Sequence, residues 1–261
     1  MINSNEYYEV YGKSNAGHAP IVFVHGSFAN TATWKKIIAE LSKDRRCIAI
    51  KLPGHCGTPD PEDMVTPTLE TEFSIIKSAI REQVAGPVHL VGHSYGGVVA
   101  LELALKGSVG LTHLTLFEPV TVGILGPTGE TEADQQVKSF VSQYRAAVAG
   151  EEPYACGRII DFWGGAGSFK SMPQALQDGM VPLTRNNIRH WDLCQTFHQP
   201  ISAVESFAVP TTVVTGSASN PIAQTIAKQL HRHLPNSTLH TIDDASHFMV
   251  TTHAKACLAL M

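Results

Sequence analysis

Six short apolar runs, "PIVFVHG", "CIAIKLPG", "PVHLVGH", "LTHLTLFEP", "VPTTVVTG" and "STLHTI", alternate along the chain with stretches of helical patterning. Parallel strands cannot be joined by a tight turn. Each needs a crossover, and the crossover helix comes to rest on a face of the sheet. Runs this continuous in apolar residues are strands buried on both faces. The chain is therefore predicted to be α/β, a mostly parallel sheet with helices on both faces. Helices are expected over Ala32 to Ser42, Leu69 to Val84, Tyr95 to Lys106, Pro221 to Leu234, and after His247.

From about Thr121 to Ser206 the strand runs stop, and helical patterns such as "ADQQVKSFVSQYRAAVAG" are broken by "FWGGAGSF" and "MPQAL". This stretch reads as a helical cap inserted after "LTLFEP". Residues 1–120 and 207–261 then form the core, and residues 121–206 form the cap or lid. The cap's aromatics, Phe162, Trp163, Phe169, Trp191 and Phe197, either line a pocket or hold the cap's own core. Trp163, with Phe28 from the core, is the candidate pocket wall.

The chain's 261 residues suffice to bury a core without disulfide or metal support. Its formal charge of -4 offers no extended basic field to nucleic acid or anionic lipid, so a small-molecule partner is expected. Cys47, Cys56, Cys156, Cys194 and Cys257 have no metal-ligand spacing and are read as reduced thiols. "MINSNEYYEV" lacks the basic and apolar regions of a signal peptide, and no run reaches the ~18 apolar residues of a membrane span. A cytoplasmic location, no membrane partner and no cofactor are the expectations.

Gly92, Ser94 and Gly96 in "GHSYGG" match G-x-S-x-G, and the setting decides what the match means. "VHLV" before it reads as a buried strand and "GVVALELAL" after it as a helix. A sharp strand-to-helix turn lifts its serine above the sheet, and the close approach of the two backbones leaves no room for a Cβ on either side. Ser94 is thus the candidate nucleophile. A serine hydroxyl needs a base, and His247 in "DDASHFMV" follows the last predicted strand, at the same sheet edge. His93 is read as packing and His25 as a brace for the loop "HGSFAN". For a developing oxyanion, the candidate donors are the backbone N–H groups of Tyr95 and Ser27, with Phe28 the alternative to Ser27.

"HGSFANTATW", "LPGHCGTPD", "GHSYGG" and "DDASHF", in this order and with an insertion between the third and fourth, resemble the α/β-hydrolase fold, from Val22 to the C-terminus. The resemblance implies a nucleophile, acid, histidine order, with the acid commonly after the strand that follows the cap. Here that strand runs on into "SASNP", so Ser219 stands where relatives usually carry an aspartate. Some members of the fold, haloalkane dehalogenases among them, take their acid from the earlier strand end, where this chain has Glu118. Glu118 is the candidate acid. Asp243 and Asp244 are close to His247 in sequence, but a carboxylate in the same loop is usually solvated. Lys51 and Cys56 also depart from the usual pattern, with a packing role expected for Cys56.

These residues predict a cofactor-independent serine hydrolase, esterase-like, cleaving a carboxylic ester or related acyl compound through an acyl-enzyme. C–C bond hydrolases and cofactor-free perhydrolases share the motifs. A ligand-binding protein that kept the fold and lost turnover is the reading from another class, and Ser219 is its ground.

Overall fold

The computed structural model describes residues 3–15 and 17–261. Every one of the six apolar runs forms a strand: β3 (Ile21–Val24), β4 (Cys47–Ile50), β5 (Val88–His93), β6 (Leu111–Phe117), β7 (Thr211–Gly216) and β8 (Ser237–Ile242). Two strands unmarked in the sequence precede them, β1 (Asn3–Ser4) and β2 (Tyr8–Tyr11). The sheet order is β1-β2-β4-β3-β5-β6-β7-β8, with β3 to β8 parallel to one another and β1 and β2 pairing antiparallel at the β4 edge.

Burial explains which strands were legible. Every residue of β3, β4, β5 and β7 is buried. Strands covered on both faces must be apolar at each position, and side chains alternate between the two layers. Val22, Val24, Ile48, Ile50 and Leu90 pack into the layer of α2 (Glu70–Gln83), α3 (Tyr95–Leu105) and α9 (Pro221–His233). Ile21, Phe23, Cys47, Ala49 and Val91 pack the opposite way, with α1 (Lys35–Leu41), α10 (Met249–Thr252) and α11 (Ala254–Leu258). By contrast, β2 is buried at alternate residues only.

Local chemistry sets the helix ends. Asn220 caps α9 by accepting from the Ile222 N–H at 2.8 Å, Pro221 follows at its first position, and His231, Arg232 and His233 occupy its last turn. Between β6 and β7 stand α4 (Thr131–Ala149), α5 (Gly157–Gly164), α6 (Gln174–Met180), α7 (Thr184–Cys194) and α8 (Ile201–Glu205). Among the described residues no helix is long and apolar enough to cross a membrane.

Parallel pairing has one consequence for function. The loops that leave β3, β5, β6, β7 and β8 all emerge at the same sheet edge, where such folds place their ligands.

Candidate active site

Between β5 and α3 the chain turns within one residue. Ser94 holds φ 57° and ψ -124°, a left-handed backbone that favours glycine and that other residues adopt at a cost. A Cβ on Gly92 would stand 2.3 Å from the Gly96 carbonyl oxygen, and one on Gly96 would stand 2.2 Å from that of Val24. Only glycine fits at either place, as the sequence pattern implied.

The loop after β8 delivers His247 to this serine, with Nε2 3.0 Å from Ser94 Oγ. Its other ring nitrogen lies 2.7 Å from Glu118 Oε2. Glu118 directly follows β6 with φ 41°, and its second oxygen accepts from the Thr215 hydroxyl and the Gly216 N–H, each at 2.9 Å. Burial alone would raise this carboxyl. The hydrogen bond and charge of His247, with the Ser219 hydroxyl and the Gly216 N–H, outweigh it and hold Glu118 below the usual carboxylate range. An ionised carboxylate only accepts, which assigns the imidazole proton to Nδ1 and leaves Nε2 to accept from Ser94.

Ser219 is buried nearby, and the side chains of Asp243 and Asp244 are exposed. His93 Nε2 donates to the His247 carbonyl at 2.8 Å and so fixes the backbone that carries His247. Burial, then the neighbouring His247, push the His93 pKa down to about 3, so it stays neutral.

The loop after β3 lies against Ser94. A Cβ on Gly26 would stand 2.8 Å from Ser94 Cβ and 3.3 Å from Ser94 Oγ. His25, buried and pushed down to about 3 by desolvation, bonds the Gly26 carbonyl at 2.8 Å and accepts from the Leu52 N–H at 3.3 Å. Ser27 lines the same cavity as Ser94, and Phe28 follows at φ 54°. Tyr95 opens α3, where a first-turn N–H has no partner inside the helix. Cys56, also at positive φ, has its sulfur 3.9 Å from His25 Nε2.

Above the serine is a cavity of about 360 Å³. Phe28 and Trp163 both line it, as do Trp191 and Phe248. Trp163 stacks on His247 with ring centres 5.5 Å apart. Sequence reasoning passed over the polar residues of α7. His190 bonds the Ser27 hydroxyl at 2.5 Å and stacks on the Tyr95 ring at 3.7 Å. Arg189, 1% exposed, spans Asp63 at 2.8 Å and Glu72 at 2.5 Å. The Tyr95 hydroxyl joins Glu72 at 2.8 Å. One signal was available: "NNIRHWDLC" places polar side chains three and four residues apart, on the faces that a helix would bury. Among the described residues no group of three or more His, Cys, Asp or Glu side chains is placed to hold a metal ion.

A serine, an imidazole and a carboxylate hydrogen-bonded in series at the strand ends of a parallel sheet define a hydrolase-type site. The model of the alpha/beta hydrolase family matches residues 21–260, and the chain belongs to that family. A pimeloyl-[acyl-carrier protein] methyl ester esterase of Neisseria meningitidis is 24% identical over 256 residues, 92% of this chain and 91% of that protein. An esterase of Mycobacterium tuberculosis is 25% identical over 257 residues, 94% of this chain and 82% of that one. Among solved structures, an N-acyl homoserine lactone degrading enzyme superposes with a TM-score of 0.75 at 17% identity, over 99% of this chain and 97% of its own. That last likeness shows the fold alone.

Proposed function

We propose that this chain is a serine hydrolase that cleaves a carboxylic ester or related acyl compound through an acyl-enzyme, with Ser94 as nucleophile, His247 as base and Glu118 as the orienting acid. Ser94 Oγ attacks the carbonyl carbon as His247 Nε2 takes its proton. Glu118 stabilises the imidazolium and keeps its ring in place. The backbone N–H groups of Ser27 and Tyr95 receive the charge on the carbonyl oxygen. His247 then gives its proton to the leaving alcohol. A water, deprotonated by the same imidazole, attacks the acyl-enzyme and releases the acid. Residues 121–206 act as the cap that walls the cavity, and its aromatic lining suits an acyl group of moderate size and low polarity.

The observation that carries this reading is the Ser94, His247, Glu118 series, with contacts of 3.0 and 2.7 Å. The esterase names of the curated relatives support it. The contact of Glu118 with His247 supplies the carboxylate that Ser219 cannot, which favours turnover over binding alone. The test pairs a fluorophosphonate probe with hydrolysis of p-nitrophenyl butyrate. Native protein is expected to be labelled at Ser94 and to turn the ester over, and Ser94→Ala to lose both, by on the order of 10⁴ or more in kcat. A native protein that neither labels nor exceeds the Ser94→Ala rate refutes the assignment.

A further inference from the structure

Helix α7 lines the cavity with Asn187, His190, Trp191 and Cys194, and one of these reaches the loop after β3. His190 Nδ1 lies 2.5 Å from the Ser27 hydroxyl, a bond between residues 163 apart in the chain. Its ring stacks on Tyr95 with centres 3.7 Å apart and planes 11° from parallel, and it lies nearly parallel to His55 at 5.5 Å. At 2% exposure the imidazole is confined among these partners. Ser27 and Tyr95 are the two residues whose backbone N–H groups receive the oxyanion in the mechanism above. One side chain of α7 thus touches both, the first by a hydrogen bond and the second by stacking.

The loop that carries Ser27 needs such a hold. Phe28 beside it takes φ 54° without being glycine, and a backbone of that kind persists only where its surroundings over-determine it. His25 fixes the loop from the core, its Nδ1 donating to the Gly26 carbonyl at 2.8 Å. Among the described residues, His190 is the hydrogen-bond partner of the Ser27 hydroxyl. Helix α7 is tied to the core in turn by Arg189, on Asp63 and Glu72, and by the Asn186 amide, which donates to Asp60 at 2.9 Å. Oxyanion donors stabilise charge when they stand about 2.7–3.1 Å from where it develops, and a misplacement of about 1 Å costs about 10²-fold.

We infer that His190 is a positioning residue: through the Ser27 hydroxyl and the Tyr95 ring it sets the spacing of the two oxyanion donors, so that the oxyanion hole is complete only while α7 is seated. This rests on the serine hydrolase reading for the role of the two N–H groups. His190 touches no reacting atom in this role, and its effect falls on the transition state rather than on substrate affinity.

The experiment measures kcat and KM for p-nitrophenyl butyrate in native protein, His190→Phe, Ser27→Ala and the double variant, each with a urea midpoint that shows it folded. His190→Phe keeps an aromatic ring for the stack and removes the bond. Ser27→Ala removes the same bond from the core side and leaves the backbone N–H in place. Each is expected to lower kcat by about 10- to 10²-fold, short of the roughly 10²–10³ for deleting a donor outright, with KM within about threefold. Because both act through one bond, the double variant is expected to fall no further than the weaker single variant, a coupling that independent sites do not show.

Inhibition by 1,1,1-trifluorohexan-2-one gives the second readout. Ser94 Oγ adds to its carbonyl carbon, the serine proton passes to His247, and the former carbonyl oxygen takes the negative charge. The inhibition constant is expected to rise in each variant by the factor by which kcat/KM falls, a shift that a loss of stability alone does not produce. A kcat within about threefold of native in both single variants overturns the inference, as does a change confined to KM or a double variant that multiplies the two single losses. Any of these, with native turnover intact, leaves the Ser94 chemistry standing. If His190→Phe does not fold, Ser27→Ala decides by the same two readouts. A native protein that neither hydrolyses the ester nor binds the ketone fails the serine hydrolase reading itself and takes the inference with it.

Discussion

The sheet edge and helix α7 both present polar groups to one cavity, but they hold them by different means. At the edge, Ser94, Glu118 and His247 each sit within a few residues of a strand end, and the backbone itself positions them. On α7, Asn187 and His190 depend on a helix whose neighbour in sequence, Arg189, reaches two carboxylates on the core side, Asp63 and Glu72. The first arrangement is rigid because hydrogen-bonded strands cannot slide. The second rests on the apolar packing of Trp191, Leu193 and Cys194 and on one buried guanidinium. The groups of the proposed triad are thus fixed by topology, and the facing groups by the packing and ion pairs of a separate helix.

The largest break in this contrast comes from the edge. Glu118→Gln is expected to lower kcat on p-nitrophenyl butyrate by about 10² to 10⁴, the scale for losing an orienting carboxylate. Ser219→Ala should stay within about threefold. A reversed order would move the acid to the strand end after the cap. On the α7 side, Arg189→Met leaves Glu72 buried without its counter-charge and should lower the free energy of unfolding in urea by about 3–5 kcal/mol. A loss under about 1 kcal/mol would mean that apolar packing, and not the ion pairs, holds α7.

A smaller effect spreads over both regions. Desolvation pushes His25, His89 and His93 down to about 3, and His55 and His190 are lowered by burial too. These imidazoles stay neutral in the folded protein below pH ~6.5, where the unfolded chain takes up protons. For His25, His89 and His93 the contribution to stability is complete above about pH 6.5 and is lost as pH falls toward about 3. Each of these three is worth about 1.4 kcal/mol per pH unit in that window. Urea midpoints at pH 7.5 and 5.5 should show the fall. His89→Leu, away from the cavity, should flatten it by one histidine's share, and an unchanged slope would mean that His89 does not stay neutral.

The same contrast governs how much could be read without coordinates. Strands buried on both faces announce themselves as unbroken apolar runs, so β3, β4, β5 and β7 were legible, while the partly exposed β6 and β8 were marked by their Thr, Leu and Ile content. The antiparallel edge was not, because β1 has only two residues and β2 shows its apolar face at alternate positions. The elbow was legible because backbone approach demands glycine at positions 92 and 96. Glu118 could be proposed from its place at a strand end, but its meeting with His247 depends on how loops 129 residues apart converge. Asn187, Arg189 and Glu72 carry no motif. A polar residue on a helix is ordinarily solvated, and only the packing of α7 on the core reverses that expectation.

Phe28, Ser94 and Glu118 share one further property, a left-handed backbone without the glycine that would adopt it at no cost. Such angles are each worth on the order of 1–3 kcal/mol against the folded state. Relaxed replacements at these positions would give a sturdier protein with a poorer site. Under selection for persistence alone, a lineage would shed these three residues before it touched the sheet beneath them. Their retention together would mark, in any descendant, a chain still selected for what it does rather than for how well it stands.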